Sequence, residues 1–498
     1  MRKLLKRGKY NSISDGKQAV SDQINLKKVC AVILLGYIIL AFLFYILAGE
    51  QLHFRSSRGN VKMPVPNFGT VEMVAGAKVE QTFIPTIQRF KQVSVTWGTY
   101  GRHNKGTVLI ELYNLKDNSR ILSQTVDVSK LTEGAITTVA SEKYLENLYG
   151  VPLLLRITSP DSVAGSAVSP MMKTDAEPKA GQQLYLNGKA VNGVLAFSAE
   201  GQDYIWLGLH YWKFIAAGGI LLAAYLLYIL MRTKRKKKSV LLNALVAMKK
   251  YRFLIYQLVS RDFKTKYKRS ILGVFWSFLN PLLMMTVQYY VFSTIFKTDI
   301  AFYPVYLLTG IIMFNFFSEA CGMALTSILG NASLITKVYV PKYIYPLTRI
   351  LSSLVNLAIS LIPLFVVGCF SNVPFTKSFL LFPFFLLCLA VFSLGLGMLL
   401  AAGMVFFRDV QFLWSVFSMM WMYATPIFYP ESILPDQFKF VLQINPLYYF
   451  ITFARTCIIS GISPEPIAYI QSFLLALGML LVGAFVFKKT QDKFILYI

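Results

Sequence analysis

Hydrophobic and polar positions follow two different patterns along this chain. Long apolar stretches, each near the roughly 20 residues that cross a bilayer, predict membrane-spanning helices. Eight such stretches can be drawn, at 29–48, 207–230, 271–296, 303–327, 346–369, 377–405, 412–428 and 466–487. Residues 49–206 instead alternate apolar and polar side chains with a period of two, as at Val93, Val95 and Trp97. That period is typical of β-strands.

The two patterns together predict the fold class. Turn-forming clusters at 101–106, 116–119 and 187–188 separate the predicted strands, which indicates an all-β sandwich of about 150 residues. The predicted fold is therefore an α-helical polytopic membrane protein of eight spans, with an all-β sandwich domain inserted between the first and second spans.

Charge predicts the orientation of the spans. Residues 1–28 contain eight Lys and Arg against two Asp, and residues 232–269 contain fourteen against one. In residues 49–206 the count is sixteen Lys and Arg against fourteen Asp and Glu. Basic clusters beside apolar runs mark the cytoplasmic side. The N-terminus and the tail 488–498 are thus predicted inside and the β domain outside. This distribution also argues against nucleic-acid binding as the cause of the formal charge of +26.

The first apolar stretch has an alternative interpretation as a secretory signal peptide, because it follows a basic leader. Its run of about 20 residues exceeds the usual apolar core of 7 to 15 residues, and no clear small-x-small cleavage site follows. The sequence therefore favours a retained membrane anchor.

Residues 239–269 are predicted to form an amphipathic helix at the cytoplasmic interface. Phe253, Tyr256 and Phe263 recur at helical spacing, and cations flank them. One interpretation is that the cations anchor the helix to anionic lipid. The other is that they bind a phosphate-bearing substrate headgroup. The headgroup candidates are Arg261, Lys264, Lys268 and Arg269.

No catalytic, cofactor or metal site is predicted. The chain contains no GxxxxGK[ST] phosphate-binding loop, and its three histidines lack the spacing of metal ligands. Glu319 lies inside an apolar stretch, where an ionisable residue needs an explanation. We expect it to pair with a cation of the amphipathic helix, and a role in gating or proton relay is the alternative.

Aromatic residues are numerous in the third and seventh predicted spans. In membrane proteins most aromatics pack or form interfacial belts, but sugars also stack on aromatic rings, so a channel for polysaccharide could use them. The channel-lining candidates are Phe275, Trp276, Tyr289, Tyr290, Trp414, Phe417 and Trp421.

Several ordered motifs carry a resemblance to a known family. They are RDFKTKYKRSILGVFWSFLNPL at 261–282, LTGIIMFNFFSEA at 308–320, NASLITKVYVPKYIYPL at 331–347, FFRDV at 406–410, ATPIFYPESILP at 424–435 and INPLYYFI at 444–451. From about Tyr251 onward the chain resembles the membrane subunit of type 2 ABC exporters, in the branch that handles O-antigen, capsule and teichoic acid.

The resemblance implies a permease of the bacterial cytoplasmic membrane that exports a lipid-linked polysaccharide such as O-antigen, capsule, rhamnan or a teichoic-acid-like polymer. It implies a six-span core at 271–487, an outer re-entrant segment at 429–464, a second copy of the chain, and a separate ATPase subunit that binds ATP and Mg. The ATPase would dock on a coupling segment at 331–346, through Leu334, Ile335, Lys337, Val338, Tyr339 and Pro341.

The external domain resembles jelly-roll modules of bacterial surface-polysaccharide membrane proteins, through TYGRHNKGTVLIELYN at 99–114. We expect it to contact the emerging glycan or a partner outside the membrane. The alternative is that the same residues form a core and a turn. The candidates are Trp97, Tyr100, Arg102 and Asn104.

Two other functions remain open at this stage. One is a type 2 ABC exporter of a drug or a small lipid. The other is a membrane-anchored, glycan-binding assembly scaffold that transports nothing.

Overall fold

A computed structural model describes residues 26–234, 240–268, 273–296 and 300–497. The chain divides into two compact units: the β unit, His53–Leu209, and the membrane unit, made of the described residues before and after it. Residues 1–25 of the predicted basic N-terminus lie outside the described residues, as does the headgroup candidate Arg269.

The β unit contains two antiparallel sheets. One has the order β1-β13-β4-β9-β12, with β2 on β9 and β7 on β4, and the other has the order β11-β10-β3-β8-β5-β6. The strands are β1 Phe54–Ser57, β2 Phe68–Gly69, β3 Lys78–Phe83, β4 Arg89–Gly98, β5 Thr107–Asn114, β6 Arg120–Asp127, β7 Ile136–Leu145, β8 Leu153–Thr158, β9 Ser169–Lys173, β10 Gln183–Leu186, β11 Lys189–Val191, β12 Val194–Leu195 and β13 Phe197–Tyr204.

Side chains of both sheets face one hydrophobic core, to which β4 contributes Val93 and Val95 and β8 contributes Leu155. In β3 the period-two pattern buries every second residue, Val79, Gln81 and Phe83, whereas residues 93–98 of β4 are buried on both faces. The turn predicted at Asn187 and Gly188 joins β10 to β11, and both residues have positive φ, 49° and 80°. Two-residue hairpin loops of this kind require positive φ, which Asn and Gly adopt most readily.

The remaining chain is helical. Its helices are α1 Leu26–Ala48, α2 Trp206–Leu209 (at the end of the β unit), α3 Tyr211–Lys234, α4 Val240–Tyr267, α5 Phe275–Phe296, α6 Tyr303–Leu325, α7 Ala332–Lys337, α8 Ile344–Phe370, α9 Phe382–Phe406, α10 Val410–Ala424, α11 Lys439–Ile444, α12 Pro446–Ile458 and α13 Pro466–Thr490. The short α11 and α12 follow two 3-10 turns within the segment predicted to be re-entrant.

Six helices in the described part of the chain are long and apolar enough to span a membrane, against the eight predicted. They correspond to α1, α3, α6, α8, α9 and α13. The predicted span 271–296 is the helix α5, whose Ser, Asn, Gln and Thr residues dilute its apolar character. The predicted span 412–428 is α10, a helix of only 15 residues. At 1.5 Å per residue such a helix is shorter than the roughly 30 Å hydrocarbon core.

Helix α6 lies at the centre of the membrane unit. It packs against α8, α9 and α5, and 72% of its most apolar window is buried, compared with 11% for α1 and for α3. Helices α9 and α13 approach so closely that a Cβ atom at Gly483 would clash with the carbonyl oxygen of Gly395. Only glycine permits that backbone contact.

Candidate functional site

The predicted amphipathic helix is present as α4, which we call the interface helix, and its two faces have different partners. Asp262 and Lys266 are four residues apart and both contact other helices of the membrane unit. Lys264 and Lys268 are also four residues apart, and both are exposed. Because residues two apart on a helix point in nearly opposite directions, the two pairs lie on opposite sides.

Asp262 joins the interface helix to α8. Its side chain is only 6% exposed, and its Oδ2 lies 2.8 Å from Nη1 of Arg349. The Ser352 hydroxyl donates to the same oxygen at 3.2 Å. Arg261 also forms an ion pair with Asp262, with its Nη2 3.2 Å from Asp262 Oδ1. The Arg261 guanidinium donates to Asn331 Oδ1 at 3.3 Å. Arg261, a headgroup candidate, is therefore engaged by protein groups.

One turn later the interface helix enters a second polar cluster. Lys266 Nζ lies 2.9 Å from Glu319 Oε1, and Asn356 Nδ2 donates to that oxygen at 2.6 Å. The Tyr267 hydroxyl donates to Asn356 Oδ1 at 3.1 Å and is also hydrogen-bonded to the Ser277 hydroxyl. The predicted pairing of Glu319 with a cation of this helix is thus confirmed, and the cation is Lys266.

These contacts fix the direction of the interface helix. Asp262 contacts Ser352 on α8. Tyr267, five residues later, contacts Asn356, four residues further along α8. The last turn of the interface helix therefore runs alongside α8 in the same direction.

Lys264 and Lys268 face away from both clusters. In the described part of the chain no acidic side chain forms an ion pair with either of them. Of the three headgroup candidates that the structure describes, these two leave their ammonium groups available to a ligand.

The coupling segment, residues 331–346, has a buried and an exposed side. Ile335 is buried in a cluster with Leu258 of the interface helix, and Leu334 packs against this cluster. The Tyr251 hydroxyl donates to the carbonyl oxygen of Tyr339, and burial beside this segment raises the pKa of Tyr251. The side chain of Tyr339 is itself 89% exposed. Lys337 and Val338 are also exposed, and Pro341 is half-buried.

The aromatic channel candidates separate into two groups. Trp414 is buried and packs edge-on against Phe317, with ring centroids 5.9 Å apart. Trp421 is half-buried, and its indole donates to Asn445 Oδ1 at 2.7 Å. These two side chains hold the core together rather than face outward from it. The candidates that are exposed on this chain are Phe275, Trp276, Tyr289, Tyr290 and Phe417.

In the β unit two glycan candidates are inaccessible. Trp97 is fully buried, and its indole donates to the Thr137 hydroxyl at 2.9 Å. Asn104 is buried, and its amide donates to the carbonyl oxygen of Thr99 at 3.0 Å. Both form the core and the turn, which is the alternative interpretation. Tyr100 and Arg102 remain at the surface, with the guanidinium 4.8 Å from the ring centroid.

An open groove of about 490 Å³ lies on the same unit, between residues 63–66 and residues 133–136. Its lining is mainly apolar and includes the exposed side chains of Val65 and Ile136. The single carboxylate of the lining, Glu133, accepts hydrogen bonds from the Thr99 amide at 2.7 Å and hydroxyl at 2.8 Å. These bonds lower the pKa of Glu133, so the groove carries a negative charge at neutral pH.

Two residues that sequence reasoning missed are Asp262 and Arg455. Asp262 is the single acidic residue of the interface helix, which is the signal that a partner was needed. Arg455 is buried without a carboxylate partner among the described residues. Its guanidinium donates to the carbonyl oxygens of Pro426, Ile427 and Tyr306 and lies 3.4 Å from the Tyr306 ring centroid. An arginine inside an otherwise apolar helix could have indicated this role.

Comparison with known proteins identifies the class of the membrane unit. Residues 254–459 match the protein family described as ABC-2 type transporter. This range begins in the interface helix, ends within the predicted re-entrant segment 429–464 and excludes the β unit. Residues 254–459 therefore resemble the membrane domain of type 2 ABC transporters, and the chain is a multi-pass membrane protein.

The relatives narrow this class to polysaccharide export permeases. The O-antigen export system permease protein RfbA of Myxococcus xanthus is 29% identical over 246 residues, which are 49% of this chain and 95% of the relative. RfbA of Klebsiella pneumoniae is 27% identical over 248 residues, 48% of this chain and 93% of the relative. The capsule polysaccharide export inner-membrane protein CtrC of Neisseria meningitidis is 24% identical over 220 residues, 43% of this chain and 81% of the relative.

Proposed function

We propose that this chain is the permease subunit of an ATP-driven exporter that moves a lipid-linked polysaccharide across the bacterial cytoplasmic membrane. The observation that carries the proposal is the similarity to O-antigen export permeases along nearly their whole length, 95% for the relative from Myxococcus xanthus. The exposed cations of the interface helix support it, because they would meet an anionic lipid headgroup at the membrane surface.

The permease works with partners in this proposal. Two copies enclose the channel, and a separate ATPase subunit binds ATP and Mg, while this chain binds no cofactor. The coupling segment is the proposed docking site for the ATPase. The exposure of Lys337, Val338 and Tyr339 supports this assignment, because a large aromatic side chain that is 89% exposed fits a protein contact.

The proposed topology has eight spans, with both termini in the cytoplasm and the β unit outside. It adds α5 and α10 to the six long apolar helices. The absence of Asp, Glu, Lys and Arg from both helices supports their placement in the membrane. Residues 429–464 form the outer re-entrant segment, which the break into the short helices α11 and α12 supports.

Lys264 and Lys268 are the proposed headgroup ligands. Residues four apart on an α-helix are offset by about 40° around its axis, so the ammonium groups of both lysines can approach one pyrophosphate. Arg261 and Lys266 are already bonded to Asp262 and Glu319. The proposal therefore assigns the headgroup to two lysines rather than to the whole cationic helix.

Tyr100 is the proposed glycan contact of the β unit, beside the groove that contains Glu133. Arg102, whose guanidinium is already paired with Glu72, is proposed to support the Tyr100 ring in this contact. An aromatic ring and apolar groove walls suit the C–H faces of sugars, and the carboxylate can accept hydrogen bonds from hydroxyl groups. A partner protein outside the membrane is the other ligand that the β unit would take in this position.

Deleting the gene for this chain tests the proposed function directly. Because export precedes display of the glycan, we expect surface polysaccharide to disappear and lipid-linked polysaccharide to accumulate in the cytoplasmic membrane. A plasmid copy should restore display. Unchanged surface polysaccharide in the deletion strain would refute the proposal.

A double substitution separates headgroup binding from lipid anchoring. We expect Lys264→Gln with Lys268→Gln to lower export at least tenfold at normal membrane insertion. The matched control is Lys249→Gln with Lys250→Gln, which removes the same charge from the same helix at exposed positions. Equal export by the two double variants would reduce Lys264 and Lys268 to lipid anchors.

The glycan contact can be measured on the isolated residues 53–209. This unit has its own core, and its two ends are joined by a hydrogen bond from the Ile205 amide to the His53 carbonyl oxygen at 2.8 Å. We expect titration with the cell's own surface polysaccharide to show binding that Tyr100→Ala abolishes. No binding by the folded unit would remove the glycan role.

A further inference from the structure

We propose that Asp262 is a positioning residue that makes the interface helix and the coupling segment move as one body. The inference rests on the proposed function, because it concerns how ATP-driven motion at the coupling segment reaches the headgroup lysines. It names a residue that contacts neither nucleotide nor substrate in that scheme and acts through the arginines on either side of it.

A continuous chain of polar contacts crosses the cytoplasmic end of the membrane unit. Arg349 of α8 binds the Asp262 carboxylate at 2.8 Å, and the same carboxylate holds the Arg261 guanidinium at 3.2 Å. Arg261 then donates to the side-chain oxygen of Asn331, where the coupling segment begins. The amide of this buried asparagine in turn donates to the Ser327 carbonyl oxygen at 2.7 Å.

Apolar side chains pack beside these polar contacts. Leu258 of the interface helix shares a buried cluster with Ile335 and Val340 of the coupling segment. Tyr251, two turns earlier, donates to the backbone of Tyr339. The interface helix thus contacts the coupling segment near its start, in its middle and after α7, so the two elements cannot separate without breaking several contacts.

The attachment of the interface helix depends on the negative charge of Asp262. Asp262 is the single acidic residue of the interface helix and is nearly inaccessible to water. Because both side chains of the pair are largely buried, the attraction between Asp262 and Arg349 is little screened, whereas Arg261 is 48% exposed and its attraction to Asp262 is weaker. Replacing the carboxylate by an amide leaves two arginines facing each other with no counter-charge, which would loosen the interface helix from both neighbours at once.

The interface helix also carries the two proposed headgroup lysines. Lys264 and Lys268 project from the same helix, on the side opposite Asp262. A displacement of the coupling segment therefore moves the two lysines as well, provided that Asp262 keeps the helix attached. Without Asp262, the apolar contacts of Leu258 and the hydrogen bond of Tyr251 still join the interface helix to the coupling segment, but α8 no longer holds the helix. The ATPase can then still turn over, while its motion reaches the headgroup lysines only weakly.

The test measures the coupling ratio, the number of ATP molecules hydrolysed per glycan exported. The permease and its ATPase are co-purified and reconstituted with the lipid-linked glycan extracted from the deletion strain. We expect Asp262→Asn to keep ATPase activity within about twofold of the wild type while export falls at least tenfold. The control Asp409→Asn removes one charge from an exposed residue of the same unit and should change neither value.

A charge swap guards against misfolding. In the double variant Asp262→Arg with Arg349→Asp, the ion pair is rebuilt in reverse, and we expect export to recover at least threefold over Asp262→Arg alone. If ATPase activity and export fall in parallel in Asp262→Asn, the coupling ratio is unchanged, and the inference is overturned in favour of a merely structural role. Failure of the swap to restore export would also overturn the inference.

A readout without transport separates this inference from the proposed function. Hydrogen exchange of the purified complex should show faster exchange of residues 331–343 and 251–267 in Asp262→Asn than in Asp409→Asn. If the wild-type complex exports no glycan and this difference persists, the proposed function fails and the mechanical link stands. If exchange is the same in both variants, the link fails.

Discussion

The β unit and the membrane unit use charged side chains in different ways. In the β unit the pair of Arg58 and Glu200 lies at the surface, with side chains that are 62% and 25% exposed. In the membrane unit the pair of Arg349 and Asp262 is 18% and 6% exposed. The first kind of pair adds little to stability, whereas breaking the second kind leaves an uncompensated charge in a water-poor environment.

This difference shows which sequence features determine the packing of each unit. The β unit is specified by its period-two pattern, since apolar alternation alone places two sheets on one core. The helices of the membrane unit are apolar on many sides, so apolarity cannot determine which faces meet. A few polar contacts, such as those of Glu319 with Lys266 and of Arg455 with three carbonyl oxygens, select the arrangement.

The largest effect is expected at Arg455. Arg455→Leu removes a donor from three carbonyl oxygens, of which those of Pro426 and Ile427 are buried, and an unsatisfied buried group costs about 1–3 kcal/mol. We therefore expect the free energy of unfolding of the detergent-solubilised protein to fall by about 3 kcal/mol or more. The control is Arg408→Leu, an exposed arginine of the same unit. Equal midpoints of thermal unfolding for the two variants would break the comparison.

The next effect is expected at Glu319. Glu319→Gln removes the charge that attracts Lys266 but keeps a polar side chain beside Asn356. We expect a loss of about 1–2 kcal/mol, less than for Arg455 because both partners retain some access to water. A double-mutant cycle with Lys266→Met measures the pair itself. A coupling energy near zero would show that the contact is incidental.

A smaller effect is expected at Glu133 in the β unit. Its pKa is lowered by hydrogen bonds from Thr99, so the carboxylate stabilises the fold above the unfolded-state pKa of about 4.3 and loses this contribution as the pH falls through the lower, folded-state pKa. Urea unfolding of residues 53–209 should give Glu133→Gln a deficit of less than about 1 kcal/mol at pH 7, because solvent screens this exposed carboxylate. The deficit should disappear in acid. A deficit that is independent of pH would contradict the assignment.

The smallest effect is expected at Arg58. Arg58→Ala removes an exposed ion pair with Glu200, which should change the free energy of unfolding by no more than about 0.5 kcal/mol. The measurement is the same urea titration of residues 53–209. A loss as large as that expected for Glu319→Gln would mean that the two units do not differ in how they use charge.

Much of the architecture could be predicted from the sequence, because long apolar runs and period-two alternation have direct physical meanings. The burial of Trp97 follows from the same pattern: it is in phase with Val93 and Val95, so it belongs to the core face. Proposing it as a glycan contact gave chemical type more weight than phase. Tyr100 lies beyond the strand, where a positive φ of 58° turns the chain and leaves its side chain exposed.

The partners within the candidate site could be predicted only in part. Glu319 needed a cation, because an ionisable group among apolar residues is costly when alone. The identity of Lys266 depended on the register between two helices, which amphipathic spacing does not determine. Asp262 resembled a simple counter-ion among five cations, because its partner Arg349 is distant in sequence and becomes a neighbour only when α8 packs beside the interface helix.

ATP-dependent translocation by the purified complex tests directly whether this chain is the permease of a polysaccharide exporter. Liposomes would contain the permease, its ATPase and a lipid-linked glycan labelled for detection, with a glycan-digesting enzyme outside. We expect ATP supplied inside, on the face of the ATPase, to increase the fraction of glycan that becomes digestible, and we expect Lys264→Gln with Lys268→Gln to abolish the increase. Active ATP hydrolysis by the wild-type complex without any such increase would contradict the account.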